Sequence, residues 1–166
     1  MGIGCSIHKS SGWKGQWSRT KRWQKRLKIK AATCRDEDEF FDHVYAFFQN
    51  CYHLRDWLKA SKVVSGQKLS DFFSVHREMR LCRDICNGTK HFDLTQPGID
   101  ANFSLVREYV PENWPGDKQR GHVIVHEATD KNDPKSRKDF YGFNLIELAD
   151  KCVNLWSQFL KQNKLE

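Results

Sequence analysis

The sequence predicts a mainly α-helical fold: a bundle of four to five helices with a small antiparallel β-hairpin or meander before the last helix. Several long segments repeat apolar residues at the i, i+3, i+4 and i+7 spacing of an amphipathic helix. A stretch at about residues 102–143 instead alternates with a period of two, and 166 residues suffice for one domain with its own core. We therefore expect a basic N-terminal arm at residues 1–35 and a bundle domain at residues 36–166 that carries the β insertion.

The strongest helical pattern is "DEDEFFDHVYAFFQNCYHLRDWLKAS", residues 36–61. Acidic residues at its start favour the positive end of a helix dipole. Its apolar positions follow helical spacing and include Phe41, Val44, Phe48, Cys51, Leu54 and Leu58. Because further aromatic residues widen this apolar surface beyond one stripe, we expect the helix at the centre of the bundle.

A second long helical pattern runs from about Leu69 to His91, with Ser70 or Asp71 as its N-cap. Glycine inside a helix costs about 1 kcal/mol. Gly88 therefore either ends this helix or allows another group to approach it closely.

The β insertion precedes the last helix. The segments "FSLVREYV" and "HVIVHEATD" read as strands, and "NDPK" reads as a turn into a third strand, "DFYGFNL". Helical spacing returns in "NLIELADKCVNLWSQFLKQ", residues 144–162. Asn144 is expected to cap this helix, with Glu147 at its third position.

Positive charge is concentrated at the N-terminus. The chain has a net charge of +7, yet residues 1–35 hold ten Lys or Arg and no Asp or Glu, and the other 131 residues hold 18 basic and 21 acidic side chains. Trp13, Trp17, Trp23 and Leu27 fall near helical spacing within this arm. The arm is therefore expected to form an amphipathic basic helix.

Two interpretations of the arm stay open. Its apolar stripe packs on the body while its charges face water, or the arm binds nucleic acid through cations that neutralise phosphates and indole faces that stack on bases. Both can hold at once, because the stripe and the charges use opposite faces. The candidate nucleic-acid-binding residues are Lys21, Arg22, Trp23, Lys25, Arg26 and Lys28, with Lys90 outside the arm.

Membrane and cofactor functions are not favoured. No apolar run approaches the ~20 residues that span a membrane. The opening "MGIGCS" matches the pattern for myristoylation of Gly2, with Cys5 as a candidate for palmitoylation, and lipid anchoring is the third-ranked interpretation. Six cysteines without a CxxC pair or a secretory signal predict neither a disulfide framework nor a zinc cluster. We expect a reduced, cytoplasmic protein without metal or other cofactor.

Polar side chains cluster in "RDICNGTKHF", residues 83–92. On a helix, Asp84, Asn87 and His91 share one face, opposite Cys82 and Cys86. One interpretation is that they satisfy backbone groups or face water. The alternative is a reaction site, in which a histidine transfers protons and cations stabilise phosphate oxygens.

A second polar concentration, Asn50, His53, Arg55 and Asp56, ends the first predicted bundle helix. With antiparallel packing through a short turn, the two clusters need not meet in one chain. Dimerisation is the alternative route to contact between them.

The segments "FFQNCYHLRDWL", "LCRDICNGTKHF" and "CVNLWSQFL" resemble a group of small bacterial helical proteins and, more distantly, the HEPN superfamily. The resemblance covers roughly residues 36–92 and 144–161. It implies a bundle of four to five helices, often dimeric, and in many members a metal-independent ribonuclease of toxin or anti-phage systems. The family motif is Arg, a polar residue and, a few residues later, His; Arg83, Asp84 and His91 match it in degenerate form, with an i, i+8 spacing.

We therefore expect a protein that cuts or binds RNA. In this hypothesis His91 is the general acid and base, and Arg83 and Lys90 are phosphate-binding cations. Asp84 would orient Arg83, and Asn87 would orient His91 or the phosphate. The alternative is a non-catalytic helical interaction module that binds nucleic acid or a protein partner.

Overall fold

The computed structural model describes residues 6–34, 36–88, 103–107, 122–128 and 139–166. Five helices lie in these ranges: α1 (Ser6–Thr33), α2 (Glu37–Ala60), α3 (Gly66–Val75), α4 (Arg77–Gly88) and α5 (Leu145–Gln162). The described chain is mainly helical, and the predicted helical bundle is confirmed.

Three short strands lie between α4 and α5: β1 (Phe103–Arg107), β2 (His122–Ala128) and β3 (Asp139–Asn144). The middle strand, β2, pairs antiparallel with both others, and Ile124 is opposite Leu105 on one side and Phe143 on the other. The remainder of residues 102–143 lies outside the described ranges. The hairpin or meander as a complete unit therefore stays a prediction.

Side-chain caps begin three of the helices, and two of these caps, at α2 and α5, each accept two backbone N–H groups. Asp36 precedes α2, and its carboxylate accepts from the backbone N–H groups of Asp38 and Glu39 at 2.9 and 3.2 Å. Asn144 precedes α5 in the same way, because its side-chain oxygen accepts from the N–H groups of Ile146 and Glu147. These bonds satisfy donors that have no partner inside the helix. The predicted Asn144 cap is confirmed.

The predicted single helix from Leu69 to His91 is wrong. The chain forms two helices instead, because His76 adopts an extended conformation with φ −97° and ψ 114° and ends α3. The cap of α3 is Ser65, not Ser70 or Asp71. This break lets Phe72 and Phe73 of α3 pack against Trp156 of α5, with ring centroids 4.7 and 5.8 Å apart, while α4 lies along α2.

The basic helix α1 runs antiparallel to α2. Gln16 donates from Nε2 to the backbone oxygen of Asn50 at 2.9 Å, whereas Lys30, in the last turn of α1, pairs with Glu39 at the start of α2. A kink interrupts α1 at Gly12, where φ is +51°, a conformation that costs glycine little. The Gly12 kink separates the first residues of α1 from the straight part that packs on the body.

One apolar core joins the helices, and α1 contributes to it. Trp13, Trp17 and Leu27 are buried in the same cluster as the central residues of α2, α3, α4 and α5. The apolar stripe of the arm therefore packs on the body, as one of its two interpretations requires. The division of the chain at residue 35 stays a prediction.

Within the ranges that the structure describes, no helix combines the length and the apolar character needed to cross a membrane.

Candidate functional site

A polar cleft of about 450 Å³ lies among α2, α3 and α4. Three of its lining side chains are arginines, from α2 and α4, and α3 supplies two serines. The lining residues are Tyr52, Arg55, Ser70, Phe73, Ser74, Arg80 and Arg83. Among the described residues no carboxylate lines the cleft, so its walls favour an anionic ligand.

Two of the arginines carry unsatisfied donors. The Nε atoms of Arg80 and Arg83 are buried and form no hydrogen bond within the described part of the chain. A buried donor without an acceptor costs about 1–3 kcal/mol. Buried donors without a partner in the protein often occur at sites where a bound ligand or ion supplies the acceptor.

Asp84 lies next to Arg83 in α4 and is almost completely buried, with 1% of its surface exposed. Its Oδ1 is 3.5 Å from Nε of Arg83, an ion-pair distance without hydrogen-bond geometry. A buried carboxylate requires a compensating charge. Asp84 therefore holds the Arg83 guanidinium near the cleft. Its position beside Arg83 is consistent with the expected role of Asp84 in orienting that guanidinium.

The α2 wall of the cleft is formed by Tyr52 and Arg55. Nη1 of Arg55 donates to the phenol oxygen of Tyr52 at 3.3 Å, and the guanidinium lies 5.9 Å from the ring centroid of Phe73. Burial raises the pKa of Tyr52, and the charges of Arg55 and Arg83 oppose that rise. The phenol therefore stays protonated at neutral pH and can donate to a bound anion.

The cleft forms because described residues of the two polar clusters, Arg55 and Arg83, meet within one chain. The Cys82 thiol donates to the Phe48 oxygen at 3.7 Å, and Sγ of Cys86 is 3.9 Å from Nε2 of His53, so α2 and α4 run parallel. The break at His76 reverses the path of the chain and produces this direction. From the sequence, we expected that the two clusters need not meet within one chain and that dimerisation could bring them together. That expectation assumed one unbroken helix after α2.

The predicted catalytic residues are only partly described. Arg83 lines the cleft, Asp84 is buried beside it, and Asn87 is half-buried one turn further along α4. Lys90 and His91 lie outside the described residues. The proximity of the His91 imidazole to the cleft therefore stays a prediction.

The arm residues expected to bind nucleic acid lie along α1, with the lysines and arginines exposed. Some of them have acidic partners: Lys28 pairs with Asp150 at 2.7 Å, and Lys21 is 3.9 Å from Glu166. Trp23 is partly buried and packs against the core, with the Arg26 guanidinium 4.8 Å from its ring centroid. Arg22 and Lys25 complete the exposed cations of the set.

Sequence reasoning missed several residues of the cleft. Arg55 stood out only as a member of the polar cluster that ends the first predicted bundle helix, and no role was expected for Arg80, Tyr52 or Phe73. Ser74 had no assigned role. Helical periodicity could place each on a face of its own helix, but only the break at His76 brings those faces together.

Comparisons of the chain with known protein families, with curated proteins and with solved structures gave no match.

Proposed function

We propose that this protein binds RNA and that the cleft among α2, α3 and α4 holds a backbone phosphate. The convergence of Arg55, Arg80 and Arg83 on one cleft carries the proposal. Guanidinium groups present forked donors that match phosphate oxygens. A guanidinium group binds a phosphate more strongly than a neutral donor does. The hydroxyls of Ser70 and Ser74 add neutral donors at the same wall.

RNA fits the charge distribution of the protein better than a small anion. The exposed cations of α1 form a positive surface apart from the cleft, and a polymer of phosphates, unlike a small anion, can contact more than one such surface and release many counterions when it binds. The aromatic rings of Tyr52 and Phe73 beside Arg55 provide apolar wall area against which a nucleotide can lie. The resemblance of Arg83, Asp84 and His91 to the HEPN motif supports the same class of ligand.

Replacing Arg80 with Gln is expected to weaken binding of a single-stranded RNA by roughly 10- to 100-fold, the value of one charge-assisted hydrogen bond. The plot of log affinity against log salt concentration should become shallower by about 0.7 for each phosphate that the variant no longer neutralises. Fluorescence anisotropy over a salt series measures both quantities. Lys151→Gln is the matched control, because Lys151 is an exposed cation of α5 outside the cleft.

Equal effects of Arg80→Gln and Lys151→Gln would contradict a phosphate site in the cleft. Arg83→Gln is informative only with a stability measurement beside it, since it removes a positively charged neighbour of the buried Asp84. Replacing Lys21, Arg22, Lys25 and Arg26 together with Gln isolates the contribution of α1. Deletion of the arm would not, because it also removes Leu27 from the core.

We further propose that the protein is an HEPN-like, metal-independent endoribonuclease, with His91 as general acid and base. His91 would take the proton of the RNA 2′-hydroxyl as that oxygen attacks the adjacent phosphorus. It would return a proton to the 5′-oxygen as the bond from phosphorus to that oxygen breaks, which leaves a 2′,3′-cyclic phosphate. Arg83 would stabilise the extra negative charge on the phosphate. Asn87 and Lys90 would position the phosphate or the imidazole.

His91→Ala is expected to reduce RNA cleavage by about 10²- to 10⁴-fold, the usual contribution of a general acid or base, and to leave the melting temperature near that of the wild type. Cleavage is measured on labelled RNA with a metal chelator present. A matching loss of stability and activity would instead identify a structural histidine. RNA binding without any cleavage by the wild type would leave the non-catalytic binding module as the function.

A further inference from the structure

Three buried cysteines from three helices meet in the core, away from the arginine cleft. Cys51 lies in α2, Cys82 in α4 and Cys152 in α5, and all three are completely buried. Their Sγ atoms all lie within 4.8 Å of one another. No two of them are closer than thirty residues in sequence, so no local motif indicates this cluster.

We infer that Cys51, Cys82 and Cys152 form a binding site for one soft metal ion held by three thiolates. Thiolates are the protein ligands preferred by soft and borderline ions such as Cu(I) and Zn(II). With metal–sulfur bonds of about 2.3 Å, three sulfurs around one ion stand about 4 Å apart. The longest Sγ–Sγ distance in the cluster therefore needs to shorten by less than about 1 Å.

Hydrogen bonds between the helices position the sulfurs of the cluster while the thiols are protonated. The Cys152 thiol donates to the backbone oxygen of Glu78 at 3.5 Å, and the Trp156 indole N–H donates to the backbone oxygen of Cys51 at 3.1 Å. These bonds join α5 to α4 and α2 at the level of the cluster. An ion bound there would link the same three helices directly, which makes the site structural in character.

The thiols also interact with one another. Burial acts to raise the pKa of Cys51, whereas its contacts with the Cys152 and Cys82 thiols and with Trp156 act to lower it. Burial raises the pKa of Cys82 and of Cys152, and the interaction with Cys51 raises both further. As the ion binds, each sulfur that still carries a proton releases it to solvent, so affinity should fall at low pH.

Because the sulfurs are sealed from water, the ion is expected to enter during folding. The experiment refolds the full, reduced chain in the presence of Cd(II), removes unbound metal by desalting and measures the ratio of metal to protein. Parallel refolding with Zn(II) or Cu(I) ranks the ions that the site retains. We expect about one Cd(II) per chain, together with the ultraviolet charge-transfer band of cadmium–thiolate bonds.

Cys82→Ala is expected to abolish retention of Cd(II). Cys86→Ala should keep it, since Cys86 is a buried cysteine one turn further along α4 that does not belong to the cluster. X-ray absorption of the wild-type protein loaded with Cd(II) needs no variant to fold and should show three sulfur neighbours. Equal retention by both variants, no retention by the wild type, or a coordination shell of nitrogen and oxygen would each overturn the site.

Discussion

Replacement of Trp156 by Ala is expected to lower the free energy of unfolding by about 3–5 kcal/mol, the range for removing a fully buried large aromatic side chain. Trp156 has no exposed surface, and its ring lies 4.7 Å from that of Phe72 and 5.6 Å from that of Phe159. Its indole N–H also bonds to the Cys51 oxygen. Chemical denaturation followed by circular dichroism measures the loss.

Trp156→Phe separates packing from the hydrogen bond. It keeps an aromatic ring in the cluster and loses the bond to Cys51, which is worth about 1 kcal/mol, so its total loss should be roughly half that of Trp156→Ala or less. A loss below about 1 kcal/mol for Trp156→Ala would show that the side chain does not join α2, α3 and α5 as the structure has it.

Helix positions could be predicted from the sequence because they depend on local patterns. The acidic residues at the start of α2 and the Asn144 cap of α5 each stabilise the first turn of the helix beside them. Both helices begin at these residues. The central burial of Val44, Phe48 and Leu54 likewise follows from their spacing on one helix.

The break between α3 and α4 could not be predicted in this way. His76 is neither glycine nor proline, and the apolar periodicity continues on both sides of it. The extended conformation at His76 is favoured by tertiary packing, since it allows Phe72 to reach Trp156 and α4 to reach α2. Local sequence contains no signal for packing between distant segments.

The candidate sites depend on the same long-range geometry. Arg55 and Arg83 are 28 positions apart, and Cys51 and Cys152 are 101 positions apart. Their residue types indicated chemistry, but their meeting depends on which helices are neighbours and in which direction they run. The proximity of Asp84 to Arg83 could be predicted from the sequence, because the two residues are adjacent in the chain.

Leu27→Ala is expected to reduce the free energy of unfolding by about 2–5 kcal/mol, although Leu27 lies in the most basic part of the chain. The side chain is completely buried in the common core, so truncation leaves a cavity between α1 and the body. Ile29→Ala in the same helix is the matched control, because 51% of Ile29 is exposed and its loss should stay within about 0.5 kcal/mol. Equal, small effects of the two substitutions in urea denaturation would mean that α1 is an attached arm and that the body folds without it.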